Sequence, residues 1–161
     1  MKIIFLDIDG VLNWGGTEEL APSGCIGVED MMIRNLKKIV DDTGANIVLT
    51  STWKSEWSKG ADYKSEDFKY LESRLREFNI TIFDKTNDHI SNRGEGIKKY
   101  LHAHLEITNW VVIDDIKFDD YDNEICEHFV NTDYSYRGLT FKLALEAIEI
   151  LNNWLSAYYM I

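Results

Sequence analysis

Two aspartates one residue apart, Asp7 and Asp9, close a run of apolar residues, Ile3-Ile4-Phe5-Leu6, and Gly10 follows at once. Carboxylates this close repel, and a shared site pushes one of them toward its protonated form unless a cation lies between them. A divalent ion with oxygen ligands is the simplest such cation. Mg2+ in particular suits one or two carboxylates completed by water and a phosphate. The plain alternative is a solvated acidic turn. An EF-hand loop is excluded, because the glycine comes directly after the second aspartate and not three residues later.

The elements that must position these groups follow from the apolar pattern. A short bounded apolar run suits a strand buried on both faces of a parallel sheet, where ligands bind at the carboxyl ends of the strands. Side chains alternate along a strand, so Asp7 and Asp9 share a face if the strand stays regular. Gly10 allows a tight turn there. Apolar spacing predicts a helix over 29–43 with Met32, Leu36, Ile39 and Val40 on one face and Gly44 as its stop, then a strand at Asn46-Ile47-Val48-Leu49-Thr50. Ser65 is expected to cap a helix running to about Phe78, with a strand at Ile80-Thr81-Ile82-Phe83 after it. A helix over 94–105 carries Ile97, Tyr100, Leu101 and Leu105, and Trp110-Val111-Val112-Ile113 reads as a fourth strand. His128-Phe129-Val130 reads as a short fifth, and Gly138-Leu139-Thr140 opens a last helix with Leu143, Ala147, Leu151, Trp154 and Tyr158 at helical spacing. Residues 13–27 read as a glycine-rich loop, a small flap at most, and 54–64 as irregular. The fold class is therefore α/β: a three-layer doubly wound parallel sheet of about five strands with right-handed crossovers, no large cap domain, and a single domain over 1–161.

Three of these strand ends carry groups suited to one phosphate. Asp7 and Asp9 end the first, Thr50 and Ser51 the second, Asp114 and Asp115 the fourth. Arg93 begins a helix between the last two. Each has a dull explanation as a turn former, a helix cap or a surface charge. Their order along the chain is harder to assign to chance.

In that order the chain resembles the haloacid dehalogenase (HAD) superfamily of phosphohydrolases. The residues that carry the resemblance are Phe5-Leu6-Asp7-Ile8-Asp9-Gly10-Val11, Val48-Leu49-Thr50-Ser51, Arg93 and Val112-Ile113-Asp114-Asp115. Ser51-Thr52-Trp53-Lys54, Arg93-Gly94-Glu95-Gly96-Ile97 and Phe129-Val130-Asn131-Thr132-Asp133 with Gly138-Leu139-Thr140 look like a small capless branch similar to polynucleotide-repair phosphatases.

The resemblance implies an Mg2+-dependent phosphomonoester hydrolase. Asp7 is then the nucleophile that forms an aspartyl-phosphate, and Asp9 the acid and base. Thr50 and Arg93 complete the catalytic set. The metal is held by Asp7, Asp9 through its backbone carbonyl, and Asp114, with Asp115 close by. Thr50 and Ser51 donate to the phosphoryl oxygens, and Arg93 neutralises the charge in transfer. Lys54, Lys85 and Lys98 are rivals for that cation. Trp53 either stacks on a base or sugar at the mouth or packs beneath the next helix, and Lys54 meets a second phosphate. The four histidines, His89, His102, His104 and His128, have no ligand spacing with the acids.

Composition bounds the partners. A net charge of −11 argues against a broad nucleic-acid-binding face, although it leaves room for a small basic pocket. Cys25 and Cys126 form neither a CxxC nor a disulfide framework, which fits a reduced, cytoplasmic setting. No membrane segment or leader is expected. The expected substrate is phosphorylated: a nucleotide, a nucleic-acid end, a phosphoprotein or a small phosphate ester. Two rivals remain. One is a phosphate- or metal-sensing receiver-like domain, in which the acidic pair leads and the lone aspartate follows. The other is a non-catalytic interaction module on the same fold.

Overall fold

The computed structural model describes residues 1–58, 62–88 and 92–153. His89, Trp154 and Tyr158 lie outside them. In chain order the elements are β1 (Lys2–Leu6), α1 (Asp30–Thr43), β2 (Asn46–Leu49), a 3-10 helix (Thr52–Glu56), β3 (Trp57–Ser58), β4 (Tyr63–Lys64), α2 (Glu66–Arg76), β5 (Ile82–Lys85), α3 (Arg93–Ala103), β6 (Asn109–Asp114), α4 (Asn123–Glu127), β7 (Phe129–Asn131) and α5 (Phe141–Asn152). Five strands form one parallel sheet in the order β5-β2-β1-β6-β7, and β3 and β4 pair antiparallel beside it.

Strand alternation sorts the core into two faces. Ile4, Leu6, Ile47, Leu49, Val111 and Ile113 point to one side, where they pack with buried residues of α1, α2 and α5. Ile3, Phe5, Val48 and Val112 point to the other, against Ile97 and Tyr100 of α3 and Ile125 of α4. This is the expected three-layer arrangement, and it explains why the central strands read as continuous apolar runs. Among the described residues no insert forms a cap, and no helix is long and apolar enough to cross a membrane.

The helix signals hold where their chemistry is local. The Ser65 hydroxyl accepts from Phe68 N at 3.1 Å, and Gly44 takes a left-handed conformation (φ 68°) after α1. Three expectations shift. The third strand begins at Ile82, because Asn79 turns left-handed (φ 56°) and buried Ile80 donates its N–H to Leu75 O at 3.0 Å, closing the end of α2. Leu105 lies beyond α3 and is 88% exposed, so it is not core. The stretch expected to be irregular over 54–64 contains the end of the 3-10 helix and the β3–β4 pair. The loop before α1 is fastened to α2: Ser23 N donates to Asp67 at 2.9 Å, Arg74 pairs with Glu19 and Asp30, and the Tyr70 hydroxyl accepts from Val28 N.

Candidate active site

The sheet register builds the site. Leu6 pairs with Leu49 on one side and Ile113 on the other. One residue further on, Asp7, Thr50 and Asp114 therefore stand abreast on three adjacent strands. The ladder continues past the strand ends to hold them: Asp7 N donates to Ile113 O, Thr50 N to Leu6 O, Thr86 N to Leu49 O and Thr132 N to Asp114 O, each at 3.0 Å. Strands spaced about 4.8 Å apart put such a row within reach of one small ligand.

Asp7, Asp114 and Asp115 offer carboxylate oxygens that all lie within 4.8 Å of one another. Asp7 and Asp114 are buried and Asp115 is half-buried. Gly10 makes room for the third. Its φ of 75° is left-handed, and a Cβ there would lie 2.4 Å from the Asp115 carboxyl carbon. Burial, and then the Asp7 charge, push the Asp114 carboxyl up to about 7. The same two causes raise Asp115.

Among the described residues, Arg93 is the cation that pairs with this cluster. Its guanidinium is 3.1 Å from Asp7, pairs with Asp114, and lies over the Phe118 ring at 4.6 Å. Burial disfavours its charge, yet Asp7 and Asp114 hold its pKa above the ordinary value. Three carboxylates and one guanidinium leave a formal charge of about −2, which matches a divalent cation. The donor set, hard oxygens crowded at a buried strand end, fits Mg2+. Asp7, Asp114 and Asp115 are the side chains that would hold it.

Lys98 is not at the cluster, because it pairs with Asp122 on the partly exposed flank of α3. Lys85 reaches the backbone carbonyls of Lys54 and Trp57. Lys54 is 6% exposed and is engaged by neighbours, bonding Thr86 Oγ1 at 2.9 Å and Asp88 Oδ1 at 2.6 Å. Burial lowers its pKa, and Asp88 opposes that.

The remaining candidates divide. Thr50 Oγ1 is buried at the β2 end of the row, beside Asp7, and has no hydrogen-bond partner among the described residues, which suits a donor to a phosphoryl oxygen. The Ser51 hydroxyl instead accepts from Trp53 N at the start of the 3-10 helix. The Asp9 carboxylate stands apart from the three-acid cluster. It accepts from Asn13 Nδ2 at 2.9 Å and from Trp53 Nε1 at 3.0 Å. Of the two readings of Trp53, packing is the one its placement fits: only 7% of it is exposed, and its ring belongs to the core. Sequence reading passed over Asn13, Thr86 and Asp88. Asn13 sits in a turn directly after the aspartates, which is a usable signal; nothing local marks Asp88 as the partner of Lys54.

A family model described as the HAD domain in Swiss Army Knife RNA repair proteins matches residues 3–144. Among solved structures, a protein from Legionella pneumophila described as a HAD superfamily (subfamily III A) hydrolase is 13% identical, with 94% of this chain and 83% of that chain covered and a TM-score of 0.46. No curated protein matches the chain.

Proposed function

This chain belongs to the family of HAD domains in Swiss Army Knife RNA repair proteins, and from that premise we propose that it is an Mg2+-dependent phosphomonoester hydrolase acting on phosphorylated RNA ends. The observation that carries the chemistry is the convergence of Asp7, Asp114 and Asp115 on one buried point, with Arg93 across it and the unpartnered Thr50 hydroxyl beside it. The RNA-end substrate rests on the family alone.

In this reading an Asp7 oxygen attacks phosphorus. The bond from phosphorus to the alcohol oxygen breaks, and a proton from the Asp9 carboxyl passes to that oxygen. The Asp9 carboxylate then takes a proton from water as the water oxygen bonds phosphorus. The bond between Asp7 and phosphorus breaks, inorganic phosphate leaves, and both aspartates return to their starting states. Thr50 donates to a phosphoryl oxygen throughout. Arg93 leans from Asp7 and Asp114 onto the phosphoryl oxygens as charge develops on them. Mg2+, when bound, screens the repulsion between anionic nucleophile and anionic phosphate.

Phosphate release from 4-nitrophenyl phosphate and from oligoribonucleotides with 3′- or 5′-terminal phosphates, with Mg2+ and with EDTA, tests this. Turnover is expected to need Mg2+ and to fall on the order of 10⁴-fold or more in Asp7→Asn, with the fold retained by circular dichroism. Full activity in Asp7→Asn would remove the nucleophile. Turnover of other phosphate esters with RNA ends untouched would remove the substrate class.

A further inference from the structure

We infer that Trp53, braced with Asn13, is a positioning residue that fixes the Asp9 carboxyl for proton transfer to the leaving oxygen; this rests on the hydrolase reading above. Each Asp9 oxygen receives one hydrogen bond, Oδ1 from Asn13 Nδ2 and Oδ2 from Trp53 Nε1. Both donors are donor-only groups: an indole N–H and an amide NH2 cannot accept a proton's bond in return. A proton on Asp9 therefore has no partner on that side. Trp53 and Asn13 are both buried while Asp9 is half-buried, so the lone pairs left for the proton lie on the open side of the carboxyl. The holder is rigid. Asn13 Oδ1 accepts from Gly10 N at 2.9 Å and its Nδ2 also donates to Gly27 O at 2.8 Å, which fixes the amide orientation independently of Asp9.

Trp53 also ties the acid to the phosphate-facing hydroxyl. It lies in the 3-10 helix that starts immediately after Thr50 and Ser51, and its own N–H donates to Ser51 Oγ. One side chain thus sets the spacing between the Thr50 strand end and the Asp9 turn, whose residues are otherwise remote in sequence. The competing explanation is that a buried indole N–H needs an acceptor and Asp9 merely supplies it. The two explanations differ in one measurable respect. Proton donation matters for a poor leaving group such as an alkoxide and little for 4-nitrophenoxide, which departs without a proton. A structural loss would affect both alike.

The experiment compares kcat/KM, which covers the steps through departure of the alcohol and not the later hydrolysis of the aspartyl-phosphate, for glycerol 2-phosphate and 4-nitrophenyl phosphate in the wild type, Trp53→Phe and Asp7→Asn, with Mg2+ present. Trp53→Phe keeps an aromatic ring and removes the N–H. We expect its kcat/KM on the alkyl ester to fall roughly 10- to 100-fold, part of the about 10²- to 10⁴-fold that a positioned acid supplies, with a fall of at most a few-fold on the aryl ester. Equal falls on both esters, or no fall on the alkyl ester, would overturn the inference while leaving the hydrolase reading intact. Turnover surviving in Asp7→Asn would overturn both. If Trp53→Phe fails to fold, 3-benzothienylalanine at position 53, with sulfur in place of the N–H, carries the same comparison.

Discussion

The two halves of the site handle charge in opposite ways. The half built by β1 and β6 crowds Asp7, Asp114 and Asp115 around one guanidinium and is left with excess negative charge. The half built by β2, the 3-10 helix and the loop after β5 pairs its cation internally, with Lys54 locked between Thr86 and Asp88. The unbalanced half can take up a cation and a reacting group, whereas the balanced half gives it a fixed wall. Two cations singled out from the sequence separate on the same line: Arg93 pairs within the first half and Lys54 within the second.

Substitutions should therefore register as lost turnover in one half and lost stability in the other. Arg93→Ala is expected to have the largest effect, a fall in kcat on the order of 10³-fold, with Lys98→Ala close to wild type. The reverse result would move the phosphate-facing cation to α3's exposed flank. Lys54→Met strands a buried Asp88 carboxylate and is expected to cost about 3–5 kcal/mol in urea unfolding, with part recovered when Asp88→Asn is added. If Lys54→Met unfolds like the wild type and loses only activity, the two halves do not differ as described.

The smallest expected effect is the pH dependence of the metal-free protein. The Asp114 carboxyl is held up to about 7 in the fold by burial and by Asp7, against about 3.9 in an unfolded chain. The folded state therefore binds the proton more tightly. Its contribution to stability is full below about pH 4 and is lost as pH rises through about 7. The thermal midpoint in EDTA should fall between pH 5 and 8, and Mg2+ should restore it most at pH 8. A midpoint that ignores both pH and Mg2+ would mean that the acidic half is balanced by other groups.

Much of this was legible from the chain alone. Apolar runs marked the central strands because those strands are buried on both faces, and periodicity marked α1, α2 and α5 because each turns one stripe to the sheet. Asp7, Thr50, Arg93 and Asp114 were readable as candidates because each follows or precedes an element in a fixed way, and the family match over 3–144 agrees with the resemblance those motifs carried. The edge strand β5 was misplaced by two residues, since the capping of α2 at Ile80 competes with strand pairing and local pattern does not weigh the two.

Sequence by itself determined the residue types at the strand ends and the fold that aligns those ends, because both follow from local propensity and the period of burial. Only the tertiary structure decided the company each side chain keeps. Asp7 and Asp9 are two residues apart and chemically identical, yet one faces Arg93 and the other faces Asn13 and an indole N–H. The turn at Gly10 and the arrival of Trp53 from another strand make that difference, and contacts between segments so distant in sequence leave no periodic trace in either one.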